Sequence, residues 1–180
     1  MRVTGGDLRS RLISSPRGLA IRPTPGRVKE ALFSILGDSV VGARVLDLFA
    51  GTGAIGFEAL SRGAAHATFV ESHRLTAAAL TRTAQALALE DRSTVIAAPA
   101  ERIVLRLAGR YDIIFADPPY AQPYPAALFA RLRERGALDT RTLVVYEHSS
   151  AIDPPADPRL PVARTARYGA VALSFLEPAV

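Results

Sequence analysis

With 180 residues, nearly half of them hydrophobic, the chain has material for one domain with a substantial core, and no apolar run reaches the roughly 18 residues of a membrane span. It has no cysteine, which excludes disulfides, thiolate metal sites and a cysteine nucleophile, and its three histidines (His66, His73, His148) are too scattered for a histidine site, so no metal is expected. The formal charge of +5 sits in residues 1–37, where seven basic groups meet two acids, while the remainder holds 15 of each, so a polyanionic partner touched by the front end and a merely solvated basic face are both open.

Residues 1–14 alternate in short stretches around Gly5-Gly6, as a small hairpin would, and residues 15–26 form a Pro- and Gly-rich linker. Residues 1–21 are basic but lack an apolar h-region, so no signal peptide is expected and a cytoplasmic protein is. The spacing of Val28, Ala31, Leu32, Ile35 and Leu36 predicts a helix over 27–36, opened by Thr24-Pro25. Strands are predicted over 44–49, 67–71, 93–98, 111–116, 142–147, 162–168 and 171–177. Helices are predicted between them, over 54–62, 75–89, 100–107 and 125–135, and a proline-rich loop over 153–161. This alternation implies an α/β fold with a doubly wound, mostly parallel sheet of seven strands. The last two strands flank Gly169 and read as an antiparallel hairpin. Two units are expected, a basic hairpin and linker over 1–26 and a single domain over 27–180.

The first loop of the sheet is Asp47-Leu48-Phe49-Ala50-Gly51-Thr52-Gly53-Ala54-Ile55-Gly56. It has the G-x-G-x-x-G form, follows a strand and opens a helix, with Glu71 twenty residues past Gly51. By that rule alone it suits a dinucleotide and an NAD-dependent dehydrogenase. Asp47 points elsewhere. A pyrophosphate at a helix N-terminus has no use for an acid four residues ahead of the first glycine. A cationic ligand such as S-adenosylmethionine does, although a turn-capping aspartate would read the same. Glu71, ending the next strand, has the place and chemistry to accept from both ribose hydroxyls.

Asp117-Pro118-Pro119-Tyr120 follows the apolar strand Ile113-Ile114-Phe115-Ala116. Two prolines stiffen the loop and remove two backbone donors, leaving carbonyl acceptors. An exocyclic nucleobase amine is a poor nucleophile because its lone pair is conjugated into the ring. Asp117 and a carbonyl of Pro118-Pro119 are suited to hold its two hydrogens, with Tyr120 stacked on the base. Arg9, Arg11, Arg17, Arg22, Arg27 and Lys29 are the candidate RNA-contacting groups, since phosphate contacts position a nucleic acid without choosing the base.

The chain resembles the small-subunit ribosomal RNA guanine-N2 methyltransferases known as the RsmD family. The resemblance runs nearly end to end. It is carried by Gly5-Gly6, Arg22-Pro23-Thr24, Arg27-Val28-Lys29-Glu30, Leu46-Asp47-Leu48-Phe49-Ala50-Gly51-Thr52-Gly53, Glu58-Ala59-Leu60-Ser61-Arg62-Gly63-Ala64, Asp117-Pro118-Pro119-Tyr120 and Tyr168-Gly169. It implies a Rossmann-like class I methyltransferase that uses S-adenosylmethionine. The implied substrate is one guanine of 16S rRNA (position 966 in rRNA numbering), within a partly assembled 30S particle, and a monomer is expected. The cofactor set is then Thr24, Asp47, Phe49, Gly51, Gly53, Glu71, Ser72, Ala100 and Glu101. Two positions depart from the family pattern. Gly26 stands where an acid is usual, and 97–101 lacks the Asn or Asp often found near the adenine. Other readings are a DNA or other RNA amino-methyltransferase, a protein-glutamine methyltransferase, a dehydrogenase and a non-catalytic RNA-binding module.

Overall fold

The computed structural model describes residues 1–14, 25–107, 109–119 and 122–179. Helix α1 (Gly26–Leu36) leads into β1 (Arg44–Leu48), α2 (Ala54–Ser61), β2 (His66–Glu71), α3 (Arg74–Ala86) and β3 (Ser93–Ala97). Then come β4 (Ile113–Ala116), α4 (Ala126–Glu134), β5 (Leu143–Ser149), β6 (Val162–Tyr168) and β7 (Val171–Leu176). The strands form one seven-stranded sheet in the order β3-β2-β1-β4-β5-β7-β6. The first five are parallel, while β7 pairs antiparallel with both β5 and β6. This is the doubly wound, mostly parallel sheet with a terminal antiparallel hairpin that the alternation implies. The order reverses between β1 and β4, so the carboxyl ends of those two strands form the crevice where such sheets bind ligands.

Two apolar layers hold the sheet. One lies under α1, α2 and α3 and includes Leu32, Phe33, Phe57, Phe69, Leu80, Phe115 and Val145. The other lies under α4 and includes Leu46, Leu48, Ile114, Leu128, Leu132, Val144 and Tyr146. Adjacent strand residues fall in opposite layers, as the pleat requires. All eight residues of α2 are buried, because the sheet covers one side and the N-terminal segment and α1 cover the other.

Two expectations are corrected. Residues 100–107 form two short 3-10 turns, Ala100–Arg102 and Val104–Arg106, in place of a helix. The buried Ala100 and Ile103 recur at three residues, which matches the 3-10 turn, and so short a segment does not offset the cost of helix nucleation. The buried stripe of α1 is Val28, Lys29, Leu32, Phe33 and Leu36, one position round from the expected one, because the bulky Phe33 takes the core and leaves Ala31 and Ile35 half-buried. Residues 1–14 do form a tight hairpin, with an antiparallel bridge between Arg2 and Leu12, but it does not stand off the body. Val3 and Ile13 are each 2% exposed and join the layer under α1 and α2.

The hairpin is fastened at Glu58. Its carboxylate accepts from Thr4 N–H and Thr4 Oγ1 (2.8 Å each) and from Gly5 N–H (2.7 Å). It also pairs with Lys29 at 2.8 Å and Arg62 at 2.9 Å. Gly6 has φ 75°, and a Cβ there would lie 1.9 Å from the Ser61 carbonyl oxygen, so the close approach needs glycine.

Candidate active site

The loop after β1 turns through three residues with left-handed backbone, Phe49 (φ 61°), Gly51 (φ 53°) and Gly53 (φ 76°). For a non-glycine residue such as Phe49 that conformation is a strained one, held here by Ala50 N–H donating to the Val70 carbonyl at 2.8 Å. Glu71, at the end of β2, braces the loop. Its Oε2 accepts from Gly51 N–H (2.9 Å) and its Oε1 from His73 N–H (2.7 Å). The carboxylate is thereby fixed beside the glycine turn, and each oxygen keeps further acceptor capacity.

Asp47 lies inside, 2% exposed, and its Oδ2 accepts from Gly56 N–H at 3.0 Å. Gly53, the residue that opens α2, has no side chain to cap it, so Asp47 serves one of the unpaired donors of the first turn. The turn-capping role is thus present, and it occupies one oxygen. Burial holds the Asp47 carboxyl well above the usual carboxylate range, and the charges of Asp117 and Glu71 push it the same way against the Gly56 hydrogen bond. Three acids therefore converge on one side of the loop. That donor set suits a ligand carrying positive charge and opposes a pyrophosphate, so S-adenosylmethionine fits these residues and NAD does not.

Asp117 follows the last residue of β4 and is half-buried. Asp47 pairs in register with Phe115, and both belong to the α1–α3 side of the sheet, so Asp117 falls on that side two residues further up. Pro118 is buried and Pro119 exposed, and Tyr120 lies outside the described residues. Beside the two prolines opens a pocket of about 140 Å³, walled also by Tyr124, Tyr146, Glu147 and the exposed Ile152. The Tyr146 hydroxyl is pushed above its ordinary range by burial first and the charge of Asp117 second. The Tyr124 ring meets that of Tyr146 edge-on at 5.2 Å, and its hydroxyl is also shifted up, chiefly by burial. His148 stacks on Tyr146 at 5.3 Å and bonds to Ser174 Oγ at 2.8 Å through Nε2. Burial lowers its pKa from the ordinary histidine value. The residues of this wall were not among the sequence candidates. The available signal was the polar run Tyr146-Glu147-His148 closing an otherwise apolar strand.

The remaining candidates divide by place. Ser72 is exposed just beyond β2, and Ala100 (buried) and Glu101 (exposed) lie just beyond β3, on the same edge as the loop. Thr24, Arg17 and Arg22 lie outside the described residues. The expectation for Lys29 is corrected. It is 1% exposed and committed to Glu58, with a further bond to the Arg2 carbonyl at 2.9 Å, so it has no free donor face for a phosphate. Arg9 and Arg11 are exposed, yet they sit at the far edge of the sheet. The hairpin bonds to Ser61, the last residue of α2, and Arg11 caps the end of α3 through the Ala86 carbonyl at 3.1 Å. Both helices run down from the glycine-loop edge, so those arginines stand about 12 Å or more from it, the length of eight helical residues. Arg27 is exposed in the first turn of α1, two residues before Lys29.

Among the described residues no helix is long and apolar enough to cross a membrane, and no group of three metal-ligating side chains occurs. The family model described as Conserved hypothetical protein 95 matches residues 1–177. A Bacillus subtilis protein named putative rRNA methyltransferase YlbH is 35% identical over 158 residues, covering 86% of each chain. The ribosomal RNA small subunit methyltransferase D of Escherichia coli K12 is 34% identical over 147 residues, 82% of this chain and 74% of that one. The solved structure titled putative methyltransferase yhhF from Escherichia coli superposes with a TM-score of 0.87 at 30% identity, covering 99% of this chain and 97% of that one. The fold is the Rossmann-like class I methyltransferase fold.

Proposed function

The chain belongs to the Conserved hypothetical protein 95 family, and we propose that it methylates the exocyclic N2 amine of a guanine in 16S rRNA with S-adenosylmethionine as donor. The observation that carries this reading is the sheet order at the switch point. Glu71 on β2, Asp47 on β1 and Asp117 after β4 stand on neighbouring strands, with the stiff Pro118-Pro119 segment next to them. The relatives' names support rRNA as the substrate class.

S-adenosylmethionine supplies, when bound, a methyl group on a sulfonium centre. Everything else falls to this chain. Glu71 accepts from the ribose hydroxyls, prealigned by its bonds to Gly51 and His73. Asp47 offsets the ligand's positive charge. Asp117 and a carbonyl of the Pro118-Pro119 segment accept from the two amine hydrogens and so turn the nitrogen lone pair toward the methyl group, a gain that comes from positioning. The methylated amine is acidic, and an Asp117 carboxylate oxygen or water takes its proton. Arg9, Arg11 and Arg27, all exposed, hold phosphates of the RNA. One chain supplies all of these groups.

The test has two parts. Calorimetry should show saturable binding of S-adenosylmethionine and none of NAD, and Glu71→Ala should weaken the former by roughly 1–3 kcal/mol, the scale of charge-assisted hydrogen bonds. Incubation with naked 16S rRNA and with 30S particles, followed by mass spectrometry, should place one N2-methylguanine in the particle, at position 966 by family resemblance. Methylation confined to DNA or to protein, or saturable NAD binding in its place, would overturn the reading.

A further inference from the structure

We propose that Glu147 reads the guanine, by accepting a hydrogen bond from its N1–H beside the amine held at Asp117. This rests on the guanine-N2 reading above and names the residue that sets base choice.

The argument is one of register. Strands β4 and β5 pair in parallel with Ala116 opposite Tyr146, so the next step brings Asp117 opposite Glu147. Phe115 and Val145, two residues earlier on each strand, both belong to the layer under α1–α3. Asp117 and Glu147 therefore share that face, on strands about 4.8 Å apart. Across the sheet the acids run Glu71, Asp47, Asp117, Glu147 on β2, β1, β4, β5. The first two bracket the glycine loop that holds the donor. An in-line transfer to an amine at Asp117 requires the donor on one side of the nitrogen and the base on the other. With the donor over β2 and β1, the base extends toward β5. Its N1, bonded to the same ring carbon as the amine, then faces Glu147.

Glu147 is placed to act as a selective group. It is only 4% exposed, on the face of β5 opposite the Tyr146 and His148 side chains that wall the pocket beside Pro118 and Pro119. It also interacts within the protein, and a carboxylate has about four acceptor sites. Guanine offers N1–H as a donor next to its amine. Adenine offers an unprotonated N1 next to its amine, whose lone pair would face the Glu147 carboxylate and be repelled. A buried acceptor facing the wrong edge is left unpaired, and this gives larger discrimination than apolar fit alone.

The probe is 16S rRNA carrying guanine or 2-aminopurine at the methylated position, assembled into 30S particles. 2-Aminopurine keeps the N2 amine but has no N1–H. Equilibrium binding and methylation of both RNAs are compared for the wild type, Glu147→Ala and Glu147→Gln. The wild type should favour guanine by about 10- to 100-fold in kcat/KM and by a smaller factor in binding, as a charge-assisted hydrogen bond implies. Glu147→Ala should lose guanine activity while 2-aminopurine activity stays within about threefold, collapsing the ratio toward one. Glu147→Gln, whose amide oxygen still accepts, should fall between. A merely structural role would depress both substrates together and leave the ratio intact, which would overturn the proposal. Equal use of guanine and 2-aminopurine by the wild type would overturn it too, even where a variant fails to fold. Failure of the underlying reading looks different, since the wild type would then methylate neither RNA.

Discussion

Glu58 and Asp47 are both buried carboxylates against the same short helix, and their surroundings are opposite. Glu58, near the end of α2, is 0% exposed and meets two cations, a hydroxyl and two backbone N–H groups. Burial alone would raise its pKa, but the bonds from Lys29 and Thr4 outweigh it and hold the carboxyl below the usual range. Asp47, at the start of α2, meets one N–H and two further acids, and burial holds it well above that range. One end of the molecule has committed its charges to holding itself together. At the other, Asp47 is buried beside the like charges of Asp117 and Glu71. The difference separates a structural edge from a functional one more sharply than exposure does, since both groups are hidden.

The comparison breaks most visibly at Glu58. Replacing it by Ala leaves the Lys29 charge buried without a counter-ion and unpins the hairpin, so a loss of about 3–5 kcal/mol is expected in urea unfolding. The same edge should also fail in acid. A carboxyl whose folded pKa is lowered contributes stability above its unfolded value, and that stability is lost as pH falls through the folded value. A variant with wild-type stability would show that the hairpin is held by its apolar contacts alone.

At the opposite edge the order of effects reverses. Asp117→Ala should cost about 10²- to 10³-fold in turnover, the scale for removing one preorganised polar group, with little change in melting temperature or cofactor affinity. Asp117→Asn should retain more activity, since an amide oxygen still accepts one hydrogen. A turnover near wild type would remove Asp117 from the reaction.

Asp47→Asn sharpens the contrast through the sign of its pH dependence. The amide oxygen still accepts from Gly56, and the mutual repulsion of the acids is lost. A carboxyl with a raised folded pKa stabilises most below its unfolded value, and that contribution disappears as pH rises through the folded value. The ligand-free variant should therefore melt above the wild type at pH 7–8, with the gap closing near pH 4, while its S-adenosylmethionine affinity falls. Melting curves across that range, with and without cofactor, decide it. A gap that widens toward acid would contradict the charge crowding.

The smallest effect is expected at Arg9 and Arg11. Their removal should reduce the dependence of log affinity for RNA on log salt by about 1.4 units, since each of the two phosphates left unneutralised on a single strand removes about 0.7 from the slope. Cofactor binding, at the other edge, should not move. Equal slopes for wild type and double variant would place the RNA elsewhere.

Much of this was legible in the chain. Apolar runs such as Arg44–Leu48 and Ile113–Ala116 mark parallel strands because both faces of the sheet are covered. Asp47, Glu71 and Asp117 stand out because each interrupts or ends such a run, where burial alone would never place an acid. What was hidden depends on the third dimension. Lys29 lies at helical spacing from Phe33, within the apolar stripe, but only the presence of Glu58 on another helix makes that position tolerable. The edge on which Arg9 and Arg11 sit follows from the direction of α2 and α3, which charge counting does not contain. Glu147 acquires meaning only from the β4–β5 register that sets it opposite Asp117.

The sheet order has a consequence for how the molecule is assembled. Strand β7 is the last strand in the chain, yet it occupies an interior place between β5 and β6. During synthesis β5 therefore waits with one row of backbone donors and acceptors open until residues 171–176 have left the ribosome. Such an open row is a template for pairing with another chain. Closing it late and in the antiparallel sense makes β7 the keystone of its half of the sheet. The half formed by β1 to β3, which carries the glycine loop, is complete long before the half that contains β5 and β7.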